Sequence, residues 1–364
     1  MDIYKGKTVL VTGHTGFKGS WLSIWLDHLG AKVVGVSDNV VSNPSNYAAS
    51  SIANHIQDYQ VNILDIVRLR SVIEEVQPDF VFHLAAQALV RVSYQNPLET
   101  LTTNAIGTAN ILETIRYLDK KVVAIMITSD KAYDNVEWAW GYREIDRLGG
   151  KDPYSASKGM AELAIRSYVE SFFHQEESDI RIGIARAGNV IGGGDWAKDR
   201  IVPDCIQAWA SNKMVDIRNP HATRPWQHVL EPLSGYLTLA ENLAGSLKNH
   251  GQAYNFGPSA DQNYPVSSLI NEMSKYWSQV KWNDVSKIEH LHEAGLLKLN
   301  CDKALLDLNW QSALQFEETV KMTVEWYRKF YQNPSDSMYE YTVNQINYFS
   351  EVAKSRQISW ACDD

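Results

Sequence analysis

The stretch from Lys7 to Gly30 restricts the possible folds more than any other part of the chain. It runs Lys7-Thr-Val-Leu-Val-Thr12, then Gly13-His-Thr-Gly16-Phe-Lys-Gly19, then Ser20-Trp-Leu-Ser-Ile-Trp-Leu-Asp-His-Leu-Gly30. Val9, Leu10 and Val11 are apolar without alternation, as a central parallel strand buried on both faces must be. Trp21, Leu22, Trp25, Leu26 and Leu29 then recur at helical spacing, and Gly30 suits a C-terminal cap. The reading is strand, tight turn, helix. Gly13, Gly16 and Gly19 divide three tasks between them: a sharp exit from the strand, close approach of a backbone to a pyrophosphate, and tight packing of helix on sheet. Phosphates would sit at the helix N-terminus, where free N–H groups and the helix dipole favour negative charge. Thr15, Phe17 and Lys18, set between those glycines, are read with them as dinucleotide contacts.

The alternation continues. A second strand, Lys32-Val-Val-Gly-Val36, ends at Ser37-Asp38, about twenty residues after the turn, where an acidic side chain commonly holds the adenosine ribose. Asp38 is the candidate, with a plain turn aspartate as the alternative. No arginine follows it, so NADP is neither demanded nor excluded. Tyr59-Gln-Val-Asn62 reads as a short strand with Asp65 and Ile66 at its end, followed by a helix over 67–77 and a break at Pro78-Asp79. Phe80-Val-Phe-His-Leu84 is another buried strand, with His83 packed in it. Ala85, Ala86 and Gln87 come next, where small residues let a backbone approach a cofactor. Leu98 to Leu118 reads as a helix carrying Asn104, and Lys121-Val-Val-Ala-Ile-Met-Ile127 as the most apolar strand. Strands alternating with helices imply right-handed βαβ units and an α/β fold built on a doubly wound parallel sheet of Rossmann type.

From Gly188 onward the rhythm changes to glycines, tryptophans and longer irregular stretches, with helices near 203–212, 230–249 and 317–331. Residues 1–188 are therefore read as the dinucleotide-binding domain with the catalytic residues. Residues 189–364 are read as a smaller, mixed α/β substrate-binding region interleaved with the sheet, which Tyr254-Asn-Phe-Gly257 helps to close. The stretch 335–364, ending Trp360-Ala-Cys-Asp-Asp, fits no pattern.

Lys+Arg 34 against Asp+Glu 43 gives a net charge of −9, which argues against a nucleic-acid partner held by a general positive field. Anionic ligands need local cations instead. Cys205, Cys301 and Cys362 are odd in number and far apart, which suggests a reducing compartment and no zinc site. Met1-Asp-Ile-Tyr-Lys leads straight into the first strand, and no apolar run approaches a membrane span, so a cytoplasmic protein is expected.

Ligands bind at the carboxyl ends of strands in such sheets, and the strand 121–127 ends in Thr128-Ser129-Asp130-Lys131. Beyond it comes Tyr154-Ser-Ala-Ser-Lys158. Residues four apart share a helix face, so the Tyr154 hydroxyl and the Lys158 ammonium would address one cleft. The lysine charge and a nicotinamide cation both favour tyrosinate, so Tyr154 can serve as a base for a hydroxyl near neutral pH.

The G-x-x-G-x-x-G spacing and this Tyr-x-x-x-Lys pair resemble the extended short-chain dehydrogenases, and more narrowly the nucleotide-sugar 4,6-dehydratases that take CDP-glucose. The resemblance rests on Gly16-Phe-Lys-Gly-Ser-Trp-Leu22, Thr128-Ser-Asp-Lys131, Trp140-Gly-Tyr-Arg143, Lys151-Asp-Pro-Tyr-Ser-Ala-Ser-Lys-Gly159, and two long runs, Ala185 to Trp196 and Arg218 to Tyr236. It implies NAD as cofactor, CDP-glucose as substrate and CDP-4-dehydro-6-deoxyglucose as product. Tyr154 would take the 4-hydroxyl proton, Ser129 hold the 4-oxygen, Asp130 protonate the departing 6-hydroxyl, and Lys158 hold the nicotinamide ribose. Lys131 replaces the glutamate of the dTDP-glucose relatives, and acts as the C5 base or as an electrostatic stabiliser of the enolate.

Asp65, Ile66, Asn104, Thr128 and Arg186 would join the cofactor contacts, and Arg91, Asn189, Trp196, Arg200, Arg218, Arg224, Gln227 and His228 the substrate contacts. Guanidinium groups suit a diphosphate, though each arginine could equally pair with Asp195, Asp199 or Glu231. Trp196 or Trp226 could stack on a flat ring. A homodimer through the 99–118 and 154–176 segments is expected. A 4-epimerase would share Tyr154 and Lys158 but need no acid beside them, and a non-catalytic dinucleotide sensor would need neither.

Overall fold

A computed structural model describes residues 1–173, 178–286, 296–333 and 335–362. Seven strands form one sheet: β1 (Thr8–Thr12), β2 (Lys32–Ser37), β3 (Gln57–Gln60), β4 (Phe80–His83), β5 (Val122–Ile127), β6 (Ile180–Ala187) and β7 (Ala253–Phe256). Their order is β7-β6-β5-β4-β1-β2-β3, and every neighbouring pair is parallel. The chain fills one side of β1 and then crosses to the other, so the crevice for a ligand opens above β1 and β4. β5 buries all six of its residues, which accounts for its unbroken apolar run.

The helices that position the site are α1 (Phe17–His28), α2 (Ile66–Val76), α3 (Gly107–Ile115), α4 (Pro153–Tyr168), α5 (Ile201–Ala210), α6 (Leu230–Gly245), α7 (Phe316–Gln332) and α8 (Tyr339–Ser355). Residues 19–26 of α1 are all buried, as expected for a helix covered on both sides. The outer cover is α8, in the stretch that carried no sequence signal. Phe349 meets Trp25 edge-on at 5.9 Å and stacks on Trp360 at 5.2 Å, while the Tyr339 hydroxyl donates to the Asp27 carboxylate. Residues 363 and 364 of that stretch lie outside the described residues.

Three expectations need correction. β3 is Gln57–Gln60 rather than 59–62, and Asp65 is not at its end: its carboxylate caps α2 by accepting from Arg68 N–H at 3.1 Å. The helix expected over 98–118 begins at Pro97 and passes through one π turn, Thr102–Ile106, before continuing as α3. Tyr254-Asn-Phe-Gly257 does not close the small region but supplies β7, in register with Ile184 to Ala187 of β6. α6 likewise packs on the main sheet, where an added Cβ at Gly183 would stand 2.9 Å from Leu239.

Among the described residues, the smaller region hangs on three short ladders. Val190–Ile191 pairs in parallel with Gln227–His228, Thr223–Arg224 antiparallel with Tyr264–Pro265, and Val215–Ile217 in parallel with Trp282–Asp284.

Candidate active site

The glycine turn has the shape of a cradle. Gly13 has φ +73°, and an added Cβ would stand 2.7 Å from Ala85 N. At Gly19 it would stand 2.1 Å from Gly13 O, so any side chain there would push the helix off the turn. Gly16 is the N-cap of α1, and no side chain caps it. An uncapped helix N-terminus, entered from a turn that lies against the Ala85 backbone at the switch point, fits a pyrophosphate. The Thr15 hydroxyl is engaged within the protein, with Asn39 O at 2.6 Å and Ser37 Oγ at 2.8 Å, and pins the turn to the end of β2. Asp38 stands exposed just beyond β2, where its carboxylate accepts from Asn62 Nδ2 at 3.0 Å. Ile66 opens α2, half-buried. Phe17 packs against the core beside Gly192.

The residues expected to react are brought together. Ser129 Oγ donates to Asp130 Oδ1 at 2.9 Å, accepts from Lys131 N–H at 3.2 Å, and lies near enough to the Tyr154 hydroxyl to favour its ionisation. Burial raises the Asp130 pKa, against the opposing charges of Lys131 and Lys18 and the Ser129 bond, so its carboxyl is biased toward the neutral acid. Burial also pushes Lys158 down to about 8, against the Glu162 charge. Tyr154 departs from expectation: burial pushes its hydroxyl up to about 12, with Ser129 only partly opposing, so the protein's own groups hold it protonated at neutral pH. Lys18, assigned to the cofactor turn, lies among these groups. Its ammonium is 3.5 Å from the Tyr236 hydroxyl, and it is pushed down to about 8 by burial and then by Arg200.

Behind the reacting groups is a layer that sequence reasoning missed. Arg186 was expected to contact the cofactor, but it is buried in a two-pronged pair with Glu162, at 2.7 and 2.6 Å, and donates to the Tyr133 hydroxyl at 2.7 Å. Thr128, likewise expected at the cofactor, donates to Glu162 at 2.6 Å, and Tyr133 donates to Asn255 Oδ1 at 2.8 Å. This network ties β5, β6, β7 and α4 together. Glu162 follows Lys158 by one helical turn, so the Tyr-x-x-x-Lys spacing extended once more would have found it.

Asn104 and Gln87 are also corrected from cofactor contacts to internal clamps. Asn104, in the π turn, bonds both backbone groups of Gln87 and donates to Ser157 Oγ at 2.7 Å. The Gln87 amide bonds Leu89 and Thr100.

The arginines expected at the substrate are paired with nearby aspartates. Arg200 meets Asp195 at 2.7 Å, and Asp199 takes both Arg91 at 2.9 Å and Arg218 at 3.6 Å. Arg224 donates to Thr223 O at 2.9 Å, and Asn189 is half-buried just beyond β6. Two expectations fail. Trp196 is only 4 % exposed, its ring packed against Trp326, Tyr327 and Phe330, so it is core rather than a stacking platform. His228 is fully buried against Trp21, held neutral with its pKa down to about 3, and accepts from Leu230 N–H at 3.3 Å. Trp226, too, is buried and donates to Tyr264 O. A cleft between the 257–263 and 298–299 segments runs down to Asp130 past Gly188, Pro225 and Gln227.

A glycine turn at the switch point of a parallel sheet, with a helical Tyr–Lys pair facing the strand-end serine, is the arrangement of short-chain dehydrogenases and reductases. The model of the GDP-mannose 4,6 dehydratase family matches residues 10–323, and the chain belongs to that family. It is 44% identical over 330 residues to the CDP-glucose 4,6-dehydratase of Salmonella typhimurium, covering 90% of this chain and 92% of that protein. It is 24% identical to the dTDP-glucose 4,6-dehydratase of Haemophilus influenzae, over 88% of this chain and 97% of that one. The same fold occurs in the UDP-glucose 4-epimerase of Thermotoga maritima, solved with UDP-glucose (TM-score 0.75, 22% identity, 88% of this chain and 99% of that one). It occurs again in the dTDP-glucose 4,6-dehydratase of Bacillus anthracis, solved with NAD (TM-score 0.72, 18% identity, 89% of this chain and 97% of that one).

Proposed function

We propose that this chain dehydrates CDP-glucose to CDP-4-dehydro-6-deoxyglucose, with NAD as a recycled cofactor. The observation that carries the reading is Asp130, a buried carboxyl biased toward its acid form, bonded to Ser129 and followed by Lys131. The identity to the Salmonella enzyme supports the nucleotide. A 4-epimerase would have no task for such an acid.

NAD, held in the glycine cradle, would supply the hydride chemistry at C4 and C6. The Gly13–Gly19 turn holds the pyrophosphate, Asp38 the adenosine ribose and Lys158 the nicotinamide ribose. Tyr154 accepts the 4-hydroxyl proton. Because burial opposes its ionisation, this step relies on nearby positive charge, that of Arg200 and of Lys158 one helical turn away. Ser129 steadies the 4-oxygen. Asp130 hands its proton to the 6-oxygen as the C6–O bond breaks, and Lys131 takes the C5 proton or stabilises the enolate. Arg200, Arg218 and Arg224 hold the diphosphate, exchanging part of their aspartate pairing for phosphate.

The division into 1–188 for dinucleotide and chemistry and 189–364 for the nucleotide sugar belongs to the same reading, as does a cytoplasmic setting. No helix among the described residues is long and apolar enough to cross a membrane. A homodimer through the 97–115 segment and α4 is supported by their exposed Leu98, Ile106, Met160 and Leu163. Residues 174–176 of the expected contact lie outside the described residues.

The test is to incubate the protein and catalytic NAD separately with CDP-, dTDP-, UDP- and GDP-hexoses, following product mass and nicotinamide absorbance. Loss of one water from CDP-glucose alone, without net nicotinamide reduction, is expected. Unchanged mass with an inverted stereocentre would replace dehydration by epimerisation.

A further inference from the structure

We infer that Gln227 is a positioning residue for the leaving group, accepting the hydrogen of the sugar's 6-hydroxyl so that its lone pair faces Asp130. The inference rests on the dehydratase reading above and adds a residue to it. Gln227 is 1 % exposed and stands in register with Val190, two residues beyond Gly188. Gly188 itself lies against the acid, since an added Cβ there would stand 3.1 Å from Asp130 Oδ2. Asp130, Gly188 and Gln227 all line the cleft.

Asp130 and Gln227 line one cleft, and each has one polar atom engaged within the protein. Asp130 Oδ1 is taken by the Ser129 hydroxyl, which leaves Oδ2, the oxygen beside Gly188, for substrate. Gln227 Nε2 donates to Phe256 O at 3.1 Å, and flipping the amide would set oxygen against oxygen, so its orientation is fixed. Its Oε1 is then a buried acceptor with no partner among the described residues. An acceptor left in that state costs free energy unless a ligand or water supplies a hydrogen.

The reaction supplies one. A hydroxyl carries one hydrogen and two lone pairs. If the 6-hydroxyl donated its hydrogen to Asp130, the two groups would compete to donate, and the acid could not protonate the oxygen. Directing that hydrogen to Gln227 Oε1 leaves a lone pair for the Asp130 proton. Starting from the 4-ketone, the C5–H pair becomes the C5–C6 double bond and its proton goes to the C5 base. The C6–O bond breaks, and water departs with the Asp130 proton and the hydrogen held by Gln227. Asp130 remains as carboxylate, and the sugar undergoes no net redox change in this step.

The experiment compares Gln227→Met, near in shape but lacking the acceptor, with Gln227→Glu, whose buried neutral acid donates to Phe256 O and keeps an acceptor. Each is given CDP-glucose, with water loss followed by mass, and CDP-xylose, which has no C6, with C4 oxidation followed by nicotinamide absorbance. Water loss from CDP-glucose should fall roughly 5- to 150-fold in Gln227→Met, the effect of one unsatisfied buried group, while CDP-xylose oxidation stays at the native rate. Gln227→Glu should recover water loss.

Equal loss with both sugars would make Gln227 structural, and no loss with either would leave it idle; both outcomes overturn the inference. Thermal unfolding checks each variant, and if Gln227→Met does not fold, Gln227→Glu decides: it must lose water from CDP-glucose at close to the native rate. Wild-type protein that oxidises CDP-xylose without dehydrating CDP-glucose would refute the dehydratase reading itself, before any variant is made.

Discussion

α4 carries two clusters of buried charge that look alike in sequence and differ in state. At its first turns, Lys158 and Tyr154 meet Asp130, Lys18 and Ser129, a group with few internal bonds and with its pKa values pushed toward neutral forms by burial. One turn further, Glu162 meets Arg186 in a two-pronged pair with Thr128 and Tyr133 filling the remaining positions. Both clusters are buried. The second answers its desolvation from within the protein, so it is complete and rigid. The first leaves charge unanswered, and such a site is completed by a ligand. Satisfied buried charge marks framework, and unsatisfied buried charge marks chemistry.

The sharpest way to break this comparison is to remove one group from each cluster. Tyr154→Phe should lower turnover by about 100- to 10,000-fold, the usual contribution of a proton-transfer group, with the unfolding midpoint unchanged. A comparable loss of stability would show that Tyr154 is framework too. Glu162→Gln should do the reverse, destabilising the protein by about 3–5 kcal/mol in denaturant titrations because Arg186 is left buried and unpaired. A variant as stable as the parent would mean that the pair is not sealed from water.

A smaller effect is expected at Lys18. Its charge lowers the Asp130 pKa, so Lys18→Met should extend the acid form upward and move the alkaline limb of the water-loss rate to higher pH. An unmoved limb would separate Lys18 from the acid.

The mildest expectation concerns Glu231, a buried carboxyl that accepts from Ala313 and Leu314 N–H and is pushed up to about 7 by burial. Because that value lies above the ordinary 4.5, its stabilising contribution is whole below about pH 4.5 and is lost as pH rises through about 7. Glu231→Gln should flatten the decline in stability across that window, measured by urea midpoints at pH 5 and pH 8. A decline unchanged in the variant would assign it to other groups.

The strands that built the crevice were legible because β1, β4 and β5 are buried on both faces and write that burial as unbroken apolar runs. β3 misled by two residues, since Gln57-Asp-Tyr-Gln60 is an edge whose place is set by pairing with β2 rather than by its own pattern. β7 was attached to the wrong region because four residues far along the chain carry no record of which sheet they join. In the site, spacing along a strand end and a helix was enough to bring Ser129, Asp130, Tyr154 and Lys158 into one proposed cluster. Arg186 and Trp196 were misassigned for a common reason: a guanidinium and an indole look the same in sequence whether they face a phosphate, a buried glutamate or an aromatic core.

The seating of Phe349 on Trp25 has a consequence for how the chain is made. α1 is complete within the first thirty residues, yet Phe349, which meets its Trp25 ring edge-on, is made only near the end of synthesis. The dinucleotide cradle begins at the N-terminus of that same helix. Nascent chains should therefore hold an exposed tryptophan face through most of synthesis, a natural seat for a chaperone, and should gain a firm cradle only in one late, cooperative closure.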